Sequence, residues 1–332
     1  MRILIQMRKV MQSLVHLRTG KMISAYSKTF KALGTQITLK CFGNIPHKIF
    51  DLSQKLIEYY EKIFSFYLSS SQVNKINKAA GKNAVNVNPN VFELVKLAKY
   101  FSEHDEHFDI TIGPLVKAWN IGFNNAHVPS AKDIQKLKKL SDPHAIILNR
   151  SNSSIYLKHP GMQLDLGGIA KGYIADRLAD LWYAYGIQQG IINLGGNLLF
   201  IGESPLRLDS LWRVGIQNPW KPRGTALKNI KVPACSVVTS GIYERYFTDK
   251  NNHFYHHIID PHTGYPFKTP LMSVTVFTTK SVVGEIESSR LFFKSDFSIS
   301  DYYNDPYLLG AIFIFKDHYF KTLGFNDDQL KM

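Results

Sequence analysis

Cysteine is nearly absent from this chain. Cys41 and Cys235 are the only two in 332 residues, far apart and without a CxxC pair. A disulfide framework and a thiolate zinc centre are excluded as organising principles, and two distant thiols read as inert core residues. Long apolar runs are missing too: no stretch approaches the roughly 18 to 20 uninterrupted apolar residues that a helical membrane span needs. Tandem repeats, low-complexity linkers and a strict strand–helix alternation are also lacking. Solenoids and a doubly wound parallel sheet are therefore disfavoured, and one domain is expected.

Acidic residues are missing from the start of the chain. Residues 1–40 hold Arg2, Arg8, Lys9, Arg18, Lys21, Lys28, Lys31 and Lys40 without one Asp or Glu, against a net charge of +14 overall. Such a balance raises nucleic acid or an anionic membrane as partners. Elsewhere, however, lysines alternate with acids, as in Lys132-Asp133, and no basic-aromatic recognition motif accompanies the charge. Ile3, Met7, Val10, Leu14 and Leu17 form a stripe at helical spacing, which suits a membrane-surface helix but not a secretory signal. The plainer expectation is that residues 1–21 are a basic, unstructured extension, with translation starting at Met22 and one domain over residues 22–332.

What is present is the composition of a folded globular protein, with 45% hydrophobic and 20% charged residues. Thr35 to Cys41 alternates apolar and polar residues as a half-buried strand does. Helical spacing marks Ile49 to Phe66, Val91 to Glu103 (after an Asn86-Val87-Asn88-Pro89 turn), Ala131 to Leu140, Ile169 to Tyr185 and Val283 to Phe293. The second half is richer in strands: Ile146–Leu148, Ser154–Leu157, Gly190–Leu194, Leu198–Ile201, Trp212–Ile216, Ala234–Thr239, His256–Ile259, Met272–Phe277 and Ala311–Phe315, most of them bounded by turn residues. The fold class this implies is α+β with mixed or antiparallel sheets.

The densest chemistry lies in Leu164-Asp165-Leu166-Gly167-Gly168-Ile169-Ala170-Lys171-Gly172-Tyr173-Ile174-Ala175-Asp176. A short strand ends in an aspartate, two glycines follow and a helix opens, bringing bare amides and close backbone approach to a phosphate-sized anion. Lys171 and Asp176 could hold further parts of a nucleotide-like ligand or a metal beside it. Two more strands end in polar glycine turns, Asn193-Leu194-Gly195-Gly196-Asn197 and Thr239-Ser240-Gly241, which suggests one shared cleft. The patch His256-His257-Ile258-Ile259-Asp260-Pro261-His262-Thr263-Gly264-Tyr265-Pro266 reads as a tight turn. Zinc binding through its histidines is a rival reading, but the spacing fits no zinc template. In Phe108-Asp109-Ile110-Thr111, Asp109 and Thr111 point to one side of an extended chain.

These pieces occur together and in order in one family. The chain resembles the FAD:protein FMN transferases of the ApbE family through Ala32-Leu33-Gly34-Thr35, Phe108-Asp109 to Pro114-Leu115 and on to Trp119, and Leu164 to Asp176. The likeness continues through Asn193 to Gly196, Thr239-Ser240-Gly241 with Tyr243-Glu244-Arg245, and His257 to Pro266, over roughly residues 26 to 325. The resemblance implies a mixed α+β, T-fold-like architecture of two similar βαβ-rich halves. It also implies a Mg2+-dependent reaction in which FAD is the substrate: FMN passes to a Thr or Ser hydroxyl of an acceptor flavoprotein and AMP leaves. By position, Leu33, Tyr67, His107, Phe108, Asp109, Asp165, Lys171 and Ile259 look like FAD contacts. Gly168, through its carbonyl, looks like a metal ligand, and His257 like the catalytic or phosphate-orienting residue.

The family completes its metal site with an aspartate and, four residues on, a threonine. Here Glu285 and Ser289 stand there; the i, i+4 spacing keeps both oxygens on one helix face, with Arg290 directly after. Beyond Lys294 the sequence also departs from the family's usual apolar helix. Many members are lipoproteins, and no lipid-modifiable cysteine lies near this N-terminus, so a cytoplasmic member is expected. Two other activities fit the same residues: an FAD pyrophosphatase yielding FMN and AMP, and an FAD-binding protein without turnover.

Overall fold

The structure is a computed structural model that describes residues 10–16, 22–46, 48–105, 107–294, 306–326 and 329. In chain order these form β1 (Met11–His16), β2 (Met22–Ala32), β3 (Thr35–Phe42), α1 (Ile49–Phe64), α2 (Gln72–Ala79), β4 (Val85–Asn86), α3 (Pro89–His104), α4 (Gly113–Trp119) and α5 (Ala131–Lys138). Next come β5 (Ile146–Asn149), β6 (Ser154–Leu157), α6 (Ala170–Ala184), β7 (Gly190–Leu194), β8 (Asn197–Ile201), β9 (Trp212–Gln217) and β10 (Ala226–Val232). The chain continues through β11 (Ser236–Gly241), β12 (Tyr246–Thr248), β13 (Phe254–His256), β14 (Leu271–Thr278), α7 (Ser281–Phe293), β15 (Leu308–Phe315) and β16 (Phe320–Leu323).

Nine strands make one sheet in the order β1-β2-β3-β7-β8-β11-β14-β15-β16, and every ladder in it is antiparallel. The two halves expected from the sequence take the form of strand pair, helix, strand pair. β2–β3 and β7–β8 flank α6 in the chain; β11–β14 and β15–β16 flank α7. The helices pack on each other.

Alternation sorts the side chains between the two sheet faces. On β11 and β15, Val238, Ala311 and Phe313 join Leu291 and Phe292 of α7. Their neighbours Val237, Ile312 and Ile314 point the other way, under Trp212, Val214, Ile216, Ile230 and Val232 of the β9–β10 hairpin. The largest core cluster unites α1, α3 and α6 with β3, β7 and β8. Within it α1 buries Ile49, Phe50, Ser53, Ile57, Tyr60, Ile63 and Phe64, the i, i+3/i+4 stripe of a core-facing helix.

Local signals behave as the sequence suggests. The Asn88 side chain accepts the Asn90 amide and Pro89 opens α3, while Ser130 caps α5. The N-terminal stretch differs from the expectation of a surface helix or an unstructured extension: Met11–His16 pairs antiparallel with β2 as an edge strand. Ile3, Met7 and Leu17 of the proposed stripe, and residues 295–305 beyond Lys294, lie outside the described residues. His256–Ile259 is not one strand: β13 ends at His256, and Ile259 makes a single bridge to Pro266.

Candidate active site

The Asp165 turn is fixed from both sides. Asn77 on α2 brackets Leu164, its Oδ1 accepting the Leu164 amide at 2.7 Å and its Nδ2 donating to the Leu164 carbonyl at 3.0 Å. The Asp165 amide donates to the Ile110 carbonyl at 2.8 Å, tying the turn to the Phe108 segment. Asp165 Oδ1 accepts the Gly167 amide at 2.8 Å, an Asx turn that folds the carboxylate back over the glycines. Burial raises this carboxyl above its ordinary range, opposed by the Gly167 amide and then by the Arg245 guanidinium. Gly167 and Gly168 are exposed, and the Phe108 ring lies beneath Gly168.

One turn further on, Lys171 meets the second half of the fold. Its ammonium donates to Glu285 Oε1 at 2.8 Å, and the Asn197 amide donates to the same oxygen at 2.9 Å. Asn197 is oriented in turn by Ser281, whose hydroxyl donates to its Oδ1 at 2.9 Å. Gly172 permits this approach, since a Cβ there would stand 2.3 Å from the Ser281 carbonyl and 2.8 Å from Glu285 Cγ. Asp176, which the sequence offered to a ligand, does something else. Its carboxylate accepts the Ser281 and Val282 amides at 2.9 Å each and so caps α7.

His257 directly follows β13, where the charge of Lys171 reaches it. Its Nδ1 lies 3.1 Å from the Arg245 carbonyl. A carbonyl only accepts, so Nδ1 carries the proton and Nε2 is left as a base. Burial pulls its pKa down to about 4, assisted by the Arg245 charge and more weakly by Lys171. Arg245 also acts on Tyr67, whose exposed ring packs on exposed Phe123 with centroids 4.9 Å apart. Partial desolvation of the phenol raises its pKa, as does the Asp165 carboxylate.

The Phe108 segment continues the rim. His107 stacks on Phe293 with centroids 4.6 Å apart and brings Nδ1 to 3.8 Å from Asp260 Oδ1. Asp109 accepts both the amide and the hydroxyl of Thr111, and burial raises its carboxyl. Ile259 is only 5% exposed, packed with Leu115, Trp119, Ile121 and Ile134, so its main chain is what it can offer a ligand.

Leu33 occupies the two-residue β2–β3 turn with φ of 53°, followed by Gly34 at 68°. Both positive angles belong to a type I′ turn, which a leucine enters at a cost. The Leu33 amide is held by Glu61 Oε1 at 2.8 Å. Thr35 sits against Gly195, where a Cβ would come within 2.3 Å of its side chain, so the Leu33–Gly34 turn touches the Asn193–Asn197 turn. The Thr239–Gly241 strand end is tied to α7, because the Ser240 hydroxyl donates to Ser288 at 2.9 Å.

Lys171 is hydrogen-bonded to Glu285 and the Phe108 ring meets Gly168 beside Asp165, while His257 and Tyr67 are coupled to them electrostatically through Arg245. Ser289 follows Glu285 by one helical turn, half-buried, its hydroxyl without a hydrogen bond among the described residues. Carbonyl, carboxylate and hydroxyl are the hard oxygens Mg2+ takes. The Lys171 ammonium already marks Glu285 as a cation-binding carboxylate, so the chemistry of this donor set fits such an ion. Asn197, Arg245 and Glu61 are the participants that sequence reasoning left without a role. Asn197 and Arg245 stand inside quoted motifs, which is the signal that could have found them. An open groove of about 650 Å3 between α3 and β5 contains none of these residues.

An antiparallel sheet of two strand-pair halves with polar, charged side chains at their seam defines a class in which known proteins can be compared. A profile of the ApbE family matches residues 33–312, and this chain belongs to that family. It is 40% identical over 271 residues to an FAD:protein FMN transferase of Klebsiella pneumoniae (strain 342), covering 80% of this chain and 82% of that one. An FAD:protein FMN transferase of Treponema pallidum (strain Nichols) is 32% identical over 291 residues, covering 81% and 79%. Among solved structures, an ApbE protein from Thermotoga maritima superposes with a TM-score of 0.83 at 25% identity, over 93% of this chain and all of that one. The apo form of a flavinyl transferase ApbE from Pseudomonas stutzeri gives 0.77 at 25% identity, over 92% and 96%.

Proposed function

We propose that this chain is an FAD:protein FMN transferase. It cleaves FAD, attaches FMN to a Thr or Ser hydroxyl of an acceptor flavoprotein and releases AMP. The observation that carries the reading is the constellation of Asp165, Lys171, Glu285 and His257 at the seam of the halves, in a chain 40% identical to an enzyme of that name.

FAD lies across the Asp165–Gly168 turn, with Leu33, Tyr67, His107, Phe108, Asp109 and the Ile259 main chain as its other contacts. The Gly168 carbonyl, Glu285 and Ser289 would hold Mg2+, which when bound supplies neutralisation of the diphosphate charge. His257 Nε2, bare at neutral pH, accepts the proton of the acceptor hydroxyl as that oxygen attacks the FMN phosphorus. The bond from that phosphorus to the bridging oxygen breaks, and AMP leaves. Lys171 and Arg245 are the cations placed to receive the charge of the leaving phosphate.

Residues 22–332 are one catalytic domain, since strands from both ends of that span share one sheet, to which β1 adds an edge strand. A reducing compartment such as the cytoplasm suits its two buried free thiols; among the described residues no helix is long and apolar enough to cross a membrane.

The test is incubation of the purified chain with FAD, Mg2+ and a Thr-bearing acceptor protein, alongside a chelated control. Flavin transfer gives a covalent FMN adduct by mass spectrometry and an equal amount of AMP. AMP without adduct means hydrolysis to FMN and AMP, and absence of both sinks the proposal.

A further inference from the structure

The single carboxylate assigned to the metal already holds a cation of the protein's own. Glu285 is 5% exposed, and its Oε1 receives both Lys171 and Asn197. Charges buried this way are weakly screened, so the pair is held more firmly than a surface ion pair. Among the described residues no group of three His, Cys, Asp or Glu could hold a metal ion. The other assigned donors, the Gly168 carbonyl and the Ser289 hydroxyl, are neutral. Lys171 and Glu285 therefore cancel, and a divalent cation approaching alone meets an ammonium at contact distance from the one carboxylate assigned to it.

A diphosphate changes both conditions. It brings anionic oxygens, which a cation that prefers a full shell of hard oxygens can share. It also offers Lys171 a second anion. The two partners differ in freedom: the Lys171 side chain is 31% exposed at the start of α6, whereas Glu285 is buried and held by the Asn197–Ser281 relay. The lysine is the member able to move.

We propose that Lys171 gates the metal site. Without FAD its ammonium occupies Glu285 and keeps a divalent cation off the carboxylate; the FAD diphosphate draws it away and admits the metal. Nucleotide and metal thus load together, each tightening the other by the same factor. This inference rests on the flavin-transfer reading for the identity of the nucleotide.

Mn2+ serves as the probe, its free concentration read by electron paramagnetic resonance on the metal-free, nucleotide-free full chain. Lys171→Met is expected to bind Mn2+ about tenfold more tightly than the unmodified chain, the scale of one charge-assisted hydrogen bond. Lys171→Arg, which keeps a cation on the carboxylate, stays close to the unmodified chain. Equal Mn2+ affinity in the unmodified chain and Lys171→Met overturns the gate. If Lys171→Met does not fold, Glu285→Gln decides. With the carboxylate charge removed and chelator present, freed Lys171 strengthens FAD binding severalfold by flavin fluorescence, and unchanged or weaker binding overturns the gate. Failure of the unmodified chain to bind FAD with or without Mg2+ would remove the flavin reading instead, while the Mn2+ comparison still decides whether Lys171 blocks a cation.

Discussion

The Asp176 carboxylate on α6 accepts the Ser281 amide that opens α7 at 2.9 Å, and its second oxygen takes the Val282 amide at the same distance. A side chain distant in sequence thus does the work of an N-cap, fixing the two helices end to side. Lys171, five residues before Asp176, is thereby brought against Glu285, four residues after Ser281. Asp176→Ala leaves one buried and one half-buried amide unpaired and is expected to cost about 2 kcal/mol in urea unfolding. Asp176→Asn keeps an acceptor and loses less. An alanine variant within about 0.5 kcal/mol of the parent would show the cap to be dispensable.

Gly172→Ala tests the same contact from its other side. The added methyl meets the Ser281 carbonyl at 2.3 Å, which backbone cannot yield without moving α7. Overpacking of this kind costs about 1 to 3 kcal/mol. FAD affinity, read by flavin fluorescence, should fall with it as Lys171 and Glu285 separate. Stability lost with affinity unchanged would mean that the helix contact does not shape the site.

Leu33 carries strain at φ 53°. Leu33→Gly is expected to raise stability by up to about 1 kcal/mol, since glycine enters this region freely while adding backbone entropy to the unfolded chain. If the leucine side chain contacts FAD as proposed, the same change weakens FAD binding. A variant that is both less stable and equally avid contradicts both halves of the argument.

The two histidines before Ile258 set an acid limit. Burial lowers His256 and His257 to about 4 each, well under the 6.5 of a free imidazole. Between these values the unfolded chain binds protons that the folded chain refuses. The stability they contribute is therefore complete above about pH 6.5 and is lost as pH falls toward 4. Unfolding midpoints measured at pH 7, 5.5 and 4.5 should drop in that order, and His256→Gln should flatten the trend. Transfer should persist down to about pH 5 because His257 stays a free base there; an acid limb near pH 6.5 would assign the base elsewhere.

The strands Ser154–Leu157 and Gly190–Leu194 and the helix opening after Ile169 were legible because apolar period and glycine punctuation agree there. β2 was not: Met22–Ala32 mixes small, charged and apolar residues, and its pairing with β1 and β3 supplies the order that its own pattern lacks. α2 was missed for lack of length, with three buried residues in eight. At the site, the Asp165 turn announced itself, whereas Asp176 misled. An acid on the first turns of a helix looks alike in sequence whether it awaits a ligand or caps another helix a hundred residues on. Asn197 and Arg245 acquire roles only when the halves close, through contacts to Glu285 and His257 that no local pattern encodes.

Lys171 belongs to the strand-pair unit that ends at Ile201, and Glu285 to the one that begins at Ser236. Between them, residues 221–225 form an exposed turn at the tip of the β9–β10 hairpin. A chain cut there becomes two pieces, neither owning a whole site, so flavin attachment turns into a readout of their reunion. The enzyme could then serve as its own complementation reporter, with the covalently retained yellow chromophore recording each successful pairing.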